Sequence, residues 1–216
     1  MPRIPRGQLV GHAFHLLNRG NGRATVFHND GDYRAFIDLL AEAKQRTPVK
    51  VAAFTVLPNH FHLVLEPASS SGLSAFMQWW LTTHVRRYHR LRGTSGHVWQ
   101  GRFKSFPIQT DEHFLTVVRY VLQNPVRAGL VKQTGDWPWS SLSYAELVDP
   151  WPVPPPADTT WLEQALPKSD LELLRTSVER QTPFGTSGWQ RAAAALLGLE
   201  HTLRPRGRPR KRDRLD

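Results

Sequence analysis

A chain of 216 residues can bury a substantial core, and its length suits one compact domain with an appendage better than two full domains. The absence of cysteine excludes a disulfide framework and any thiolate metal site, so chemistry must rest on His, Tyr, carboxylates and amides. Twenty-eight Lys+Arg against 18 Asp+Glu leave a formal net charge of +10, which points to a polyanionic partner, while no apolar run approaches the ~20 residues of a membrane span.

The opening stretch MPRIPRGQLVGHAF lacks the apolar core of a signal peptide, so a cytoplasmic, nucleoid-associated setting is expected. AFHLLNRG alternates as a strand and runs into an Asn-Gly loop. Over residues 32–46, Phe36, Ile37, Leu39, Leu40 and Ala43 fall at helical spacing, with Pro48 just beyond. VKVAAFTVL then reads as a strand, Pro58-Asn59 as a turn and HFHLVLE as the antiparallel return. From residue 73 to about residue 90, Phe76, Met77, Trp80, Leu81, Val85 and Tyr88 form a helical stripe, with Trp79 and Trp80 assigned to the core. Arg86, Arg87, Arg90 and Arg92 gather at its end, where they complement the helix dipole. HVWQGRFKSFPIQ reads as a further strand, and residues 111–124 as a helix stopped by Pro125.

The order β-α-β-β-α-β-α predicts an α+β protein with a ferredoxin-like (RRM-like) antiparallel sheet and helices on one face. Composition divides the chain into a principal domain, 1–149, a proline-rich linker (WPVPPPADTTW) with a small helical extension, 150–203, and a basic tail, 204–216.

Within NHFHLVLE, His60 and His62 lie two apart on a strand and therefore share a face, the separation at which two imidazoles can hold one divalent ion. Spacing alone equally allows two surface or satisfied core histidines. A third group is available in RYVLQNPVRAGLV, where Tyr120 and Asn124 sit one helical turn apart. Asn124 could complete a metal shell while Tyr120 attacks what the metal polarises; the other reading makes Tyr120 a half-buried core residue and Asn124 an ordinary helix end. Glu66 shares the face of the histidines, and either orients a ligand or marks the sheet edge.

The motifs NHFHLVLE and RYVLQNPVRAGLV, in that order, together resemble the signature of the single-tyrosine HUH transposases, most specifically the REP-associated tyrosine transposases. FHLLNRG, GHVWQGRFKS and WPWSS add to the likeness, which spans about residues 10–145. The resemblance implies an HUH endonuclease fold and a sequence-specific, metal-dependent single-stranded DNA endonuclease and strand transferase that cleaves at hairpin-forming palindromic repeats. It implies Mg²⁺ or Mn²⁺ held by His60, His62 and Asn124, with Gln123 the alternative because many relatives carry glutamine there. It implies Tyr120 as the nucleophile, forming a 5′-phosphotyrosine. A phenol of pKa about 10 needs neighbouring positive charge to act at neutral pH. Because the phosphotyrosine keeps the diester's energy, a second 3′-hydroxyl can reverse the attack without ATP, in keeping with the lack of a G-x-x-x-x-G-K-[ST] loop.

Arg86, Arg87, Arg90, Arg92, Arg102 and Lys104 flank Tyr88, Trp99 and Phe103, a mixture suited to phosphate neutralisation and base stacking on single strands, or to a solvated helix end with core aromatics. His15 and Arg19 on the first strand and its loop are further candidates for DNA contact. In the tail, Arg206, Arg208 and Arg210 form an AT-hook-like run suited to the narrow minor groove. Two other readings stay open: a non-catalytic nucleic-acid-binding module on a ferredoxin-like sheet, and a hydrolase in which water attacks and Tyr120 is structural. A monomer is expected rather than a homodimer.

Overall fold

The computed structural model describes residues 10–204, except for the side chain of Thr159; Arg206, Arg208 and Arg210 lie outside the described residues. Four strands, β1 (Ala13–Arg19), β2 (Val49–Leu57), β3 (His60–Pro67) and β4 (Lys104–Ile108), form one antiparallel sheet in the order β2-β3-β1-β4. β2 and β3 are joined through Pro58 and Asn59, where proline presets the backbone of a tight turn. A bulge near Ala52 changes the side-chain parity of β2, so that Val49, Val51, Phe54 and Val56 all reach the same core. Strict alternation would have sent half of them to the other face.

Helices α1 (Asp30–Arg46) and α2 (Gly72–Arg92) cover one face of the sheet. The Asn29 side chain caps α1 by accepting from the Asp32 N–H, and Gly93 ends α2 in the left-handed conformation that glycine adopts without steric cost. Their apolar stripes meet Phe14, Leu16, Phe61, Leu63 and Leu65. Trp80 is buried as expected, its indole donating to the Phe36 carbonyl; Trp79 is only half-buried, beneath the Arg46 guanidinium.

Helix α3 (Glu112–Leu122) lies on the opposite face, so the expectation of helices on one face holds for α1 and α2 alone. The physical reason is in the strands: Ala13, Ala52, Ala53, Val64, Phe106 and Ile108 make the second face apolar too, and Phe114, Val117, Val118 and Val121 bury it. Pro125 does not simply stop this helix. It sits in the first turn of a new short helix, α4 (Asn124–Arg127), where its missing N–H leaves no bond unmade.

The extension brings α5 (Lys168–Arg180), α6 (Ser187–Leu197) and α7 (Glu200–Leu203). Its proline-rich start is pinned to the second core: Trp161 and Leu166 are buried there, and the Trp151 indole donates to the Ala52 carbonyl. Farther on, Phe184 bonds to Pro107 and Gln109 across the open edge of β4, while Trp139, Ser141 and Asp149 cap the open edge of β2. Both sheet edges are thus covered against pairing with another chain.

Candidate active site

β1 and β3 pair in register, placing Leu17 opposite His62 and Arg19 opposite His60. The face that carries His60 and His62 also carries His15, and α3 lays Tyr120 across it. Nε2 of His15 lies 2.8 Å from Nδ1 of His62, and the two rings stack at 5.0 Å with an interplanar angle of 7°. The Tyr120 ring stands edge-on to both, 5.8 Å from His62 and 6.1 Å from His15. His60 packs at 5.2 Å from His62, with its Nδ1 2.7 Å from the Asn59 side-chain oxygen.

Burial pushes the three imidazoles toward the neutral form. His15 is lowered to about 3 by burial, and His60 to about 4 by burial assisted by the Arg19 charge. His62 falls well below its ordinary value, chiefly by burial and then through His15, His60, Arg127 and Arg19. Neutral imidazole is the ligating form. For His60 and His62 the Nδ1 atoms are engaged within the protein, which leaves Nε2 of each ring for a metal. A ligating His62 carries its proton on Nδ1 and donates it to His15, so His15 acts as the supporting partner that such ligands commonly have. His15 then holds its own proton on Nδ1, an atom buried with no partner among the described residues. The expectation that His15 contacts DNA is therefore corrected, since its side chain is fully buried.

Of the two candidate amides, Gln123 is committed to other partners. Its Nε2 donates to the carbonyls of Leu162 and Gln164 at 2.6 and 2.7 Å, and its oxygen accepts from Arg127. Asn124 has its Nδ2 position buried and unpartnered among the described residues. Because the two ends of an amide exchange by a simple flip, an oxygen can occupy that place. Two neutral imidazoles and one uncommitted amide fit a divalent cation that accepts nitrogen and oxygen donors. Glu66 is drawn into an ion pair with Lys50 at 3.3 Å, four residues from His62, or about 13 Å along the strand. A cluster of carboxylates and imidazole does occur at Asp111, Glu112 and His113, but there Asp111 serves as the cap of α3, accepting from the backbone N–H and ring of His113.

Arg127 went unnoticed in the sequence. Its guanidinium lies 4.2 Å from the centre of the Tyr120 ring and donates to the Tyr120 carbonyl. Burial lowers it to about 10, with Tyr120 opposing and Arg175 adding to the shift, so it stays cationic at neutral pH. The signal was present: Arg127 follows Tyr120 by seven residues, two helical turns, and α4 preserves that phase beyond Pro125.

The basic residues divide. Arg19, Arg102 and Lys104 line a cavity of about 320 Å³ on the histidine side of β1 and β4. Arg86, on α2, lines a second cavity together with Arg102, and Arg90 follows Arg86 one helical turn on. Arg87 faces another cleft beside Asp32, and Arg92 is committed to Asp32 at 2.5 Å.

The family model of the IS200-like transposases matches residues 8–124, more than half of the chain, from the segment before β1 through Asn124. The chain belongs to this family. Membership makes it a DNA-cleaving transposase of a class expected to depend on a metal ion. Among curated relatives, it is 27% identical to the REP-associated tyrosine transposase of Escherichia coli K12 over 128 residues, covering 59% of this chain and 74% of that protein. It is 28% identical to a putative REP-associated tyrosine transposase of Haemophilus influenzae over 104 residues, covering 44% of this chain and 59% of that protein. A solved structure described as the REP-associated tyrosine transposase bound to a REP hairpin shares the fold, with a TM-score of 0.57 at 20% identity, over 78% of this transposase and all of that chain. None of the helices among the described residues is long and apolar enough to cross a membrane.

Proposed function

We propose that this transposase is a sequence-specific single-stranded DNA endonuclease and strand transferase that cuts at hairpin-forming palindromic repeats through a covalent 5′-phosphotyrosine. One observation carries the reading: Tyr120 stands against His62 on the apolar face of the sheet with a guanidinium stacked on its ring. A core tyrosine would need neither neighbour. The hairpin in the solved relative supports the substrate class, and the basic cavity beside His60 supports a strand lying over the histidines.

In this reading Tyr120 loses its phenolic proton, and its oxygen attacks the scissile phosphorus. The 3′-oxygen leaves and takes up a proton, while the 5′-phosphate remains bonded to the tyrosine. Arg127 steadies the phenolate charge as it develops. His60, His62 and Asn124 would hold Mg²⁺ or Mn²⁺, which supplies Lewis-acid polarisation of the phosphoryl oxygen. Attack on the phosphotyrosine by another 3′-hydroxyl restores a phosphodiester and frees Tyr120, so cutting and joining are one reaction run in two directions. Residues 1–149 do this work, with 150–203 bracing Gln123. In this reading Tyr120 acts against the histidines of its own chain, and the protein works as a monomer.

The test is incubation with hairpin-containing single strands and Mn²⁺, followed by a search for an SDS-resistant protein–DNA adduct. Wild type forms it; Tyr120→Phe and the His60→Ala/His62→Ala double variant do not. Binding without any adduct would favour a recognition module, and cleavage that survives Tyr120→Phe would favour attack by water.

A further inference from the structure

Thr55 is fully buried, and its hydroxyl oxygen has no hydrogen-bond partner among the described residues. It is the register partner of His62 across β2 and β3. Directly opposed residues of an antiparallel pair lie side by side on one face, with Cβ atoms about 5 Å apart. The hydroxyl therefore belongs to the face that carries His60, His62 and Tyr120. A hydroxyl enclosed without a bond is costly, and the methyl group of a valine would fill the same place without that cost, so the threonine calls for a role.

The strand around Thr55 is pinned from its outer side. The Val56 N–H donates to the Trp139 carbonyl at 2.8 Å, the Ser141 N–H donates to the Phe54 carbonyl at 2.9 Å, and the Trp137 indole donates to the Val56 carbonyl at 2.9 Å. Residues 137–141, WPWSS, thus hold both chain neighbours of Thr55 and bridge to Thr55 itself through Ser140. A second orphan lies over the same strand. α4 packs on β2, and its first residue is Asn124. Asn124 lies between Tyr120, whose ring stands against His62, and Arg127, whose charge reaches His62. Of the two ends of its amide, only Nδ2 is both enclosed and unpartnered among the described residues. The strand presents a buried acceptor without a donor, and the helix packed on it a buried donor without an acceptor.

We infer that Thr55 is a positioning residue for the metal site: rotation of the two side chains lets its hydroxyl accept from Nδ2 of Asn124, which leaves Oδ1 as the end of the amide offered to the cation. The inference rests on the reading of Asn124 as a ligand given above. The two ends of an amide are nearly alike in shape, but a cation takes the oxygen alone, so an amide free to flip is correctly turned only part of the time. A partner that fixes one end removes that loss, and partners of this kind behind a ligand are worth about 10- to 100-fold in metal affinity. Thr55 touches neither the cation nor DNA; it acts through Asn124.

The test is calorimetric titration of the full chain with Mn²⁺, without DNA, on wild type, Thr55→Val, Asn124→Ala and the double variant. Valine keeps the β-branched shape of threonine and removes only the hydroxyl. Thr55→Val should bind Mn²⁺ about tenfold more weakly, and Thr55→Ser should restore binding. Once Asn124 is alanine, Thr55→Val should cost nothing more, because there is no amide left to hold. In nitrogen-15 NMR spectra of the metal-free protein, the Asn124 side-chain amide protons are identified by their absence in Asn124→Ala. They should be protected from solvent exchange and lose that protection in Thr55→Val. Thr55→Val with wild-type affinity would overturn the inference, as would an equal loss with and without Asn124, the result expected of a general loosening of the sheet. The ligand reading fails separately, through a wild type that binds no Mn²⁺ or binds it equally well after His60→Ala/His62→Ala. Amide protection that depends on Thr55 would then uphold the hydrogen bond by itself, and unprotected amide protons would remove it.

Discussion

In the proposed reaction a neutral phenol is a weak nucleophile, so the groups against the ring decide how readily Tyr120 would attack. Arg127 is the cation stacked on its ring, hydrogen-bonded to the Tyr120 carbonyl and the Gln123 oxygen, with its charge also felt at His62. Arg127→Gln should slow adduct formation about 10- to 100-fold while hairpin affinity changes little, because the loss falls on charge that develops only during attack. Quench-flow adduct kinetics beside anisotropy binding checks this, and equal loss in both would reassign Arg127 to DNA binding. His15 acts one step farther out. Replacing it with Phe keeps an aromatic plate between Phe106 and Tyr120 but removes the acceptor that keeps the His62 proton on Nδ1. Mn²⁺ affinity measured by calorimetry without DNA should fall about 10- to 100-fold, and unchanged affinity would mean that His62 needs no partner to ligate.

The elements of the sheet were legible because their signals are local. Alternation in AFHLLNR and HFHLVLE, the Pro-Asn turn and the helical stripe of α2 each depend on residues within a few positions of one another. The face on which His60 and His62 sit followed from the same parity. What stayed hidden depends on distant chain. Periodicity cannot say that α3 crosses to the other face, nor that a proline-rich stretch is pinned by Trp151 and Trp161, because those contacts join residues some forty to a hundred positions apart. The commitment of Gln123 to the extension has the same origin, since carbonyls of Leu162 and Gln164 hold its amide. Trp161→Ala should therefore cost about 3–5 kcal/mol of stability by emptying a buried aromatic site. It should also slow adduct formation beyond what unfolding explains, because it loosens the stretch that fixes the start of α4. Denaturant melts paired with adduct assays in the folded range decide this, and a destabilised variant with wild-type kinetics would make the extension a brace for the fold only.

Across the whole molecule the buried histidines couple folding to pH in one direction. His15 and His84 are lowered to about 3, His60 to about 4 and His62 well below its ordinary value, in each case first by burial. A depressed value in the folded state means that the unfolded chain binds protons first as pH falls. Stability is thus complete above about 6.5 and is lost progressively toward about 3 to 4. Each histidine contributes up to about 1.4 kcal/mol per pH unit across that window. Four acting together would exhaust an ordinary stability of about 5–15 kcal/mol between about pH 5.5 and 4. Acid unfolding followed by circular dichroism in metal-free buffer should fall in that range and take up several protons cooperatively. His84 packs among Phe27, Phe36 and Trp99 on the α1 and α2 side, away from Tyr120. His84→Gln should therefore lower the proton uptake by about one while the remaining histidines still unfold the protein in acid. A stability flat from pH 7 to 4 would contradict the burial of these rings, and with it the neutral imidazoles on which the proposed metal binding beside Tyr120 rests.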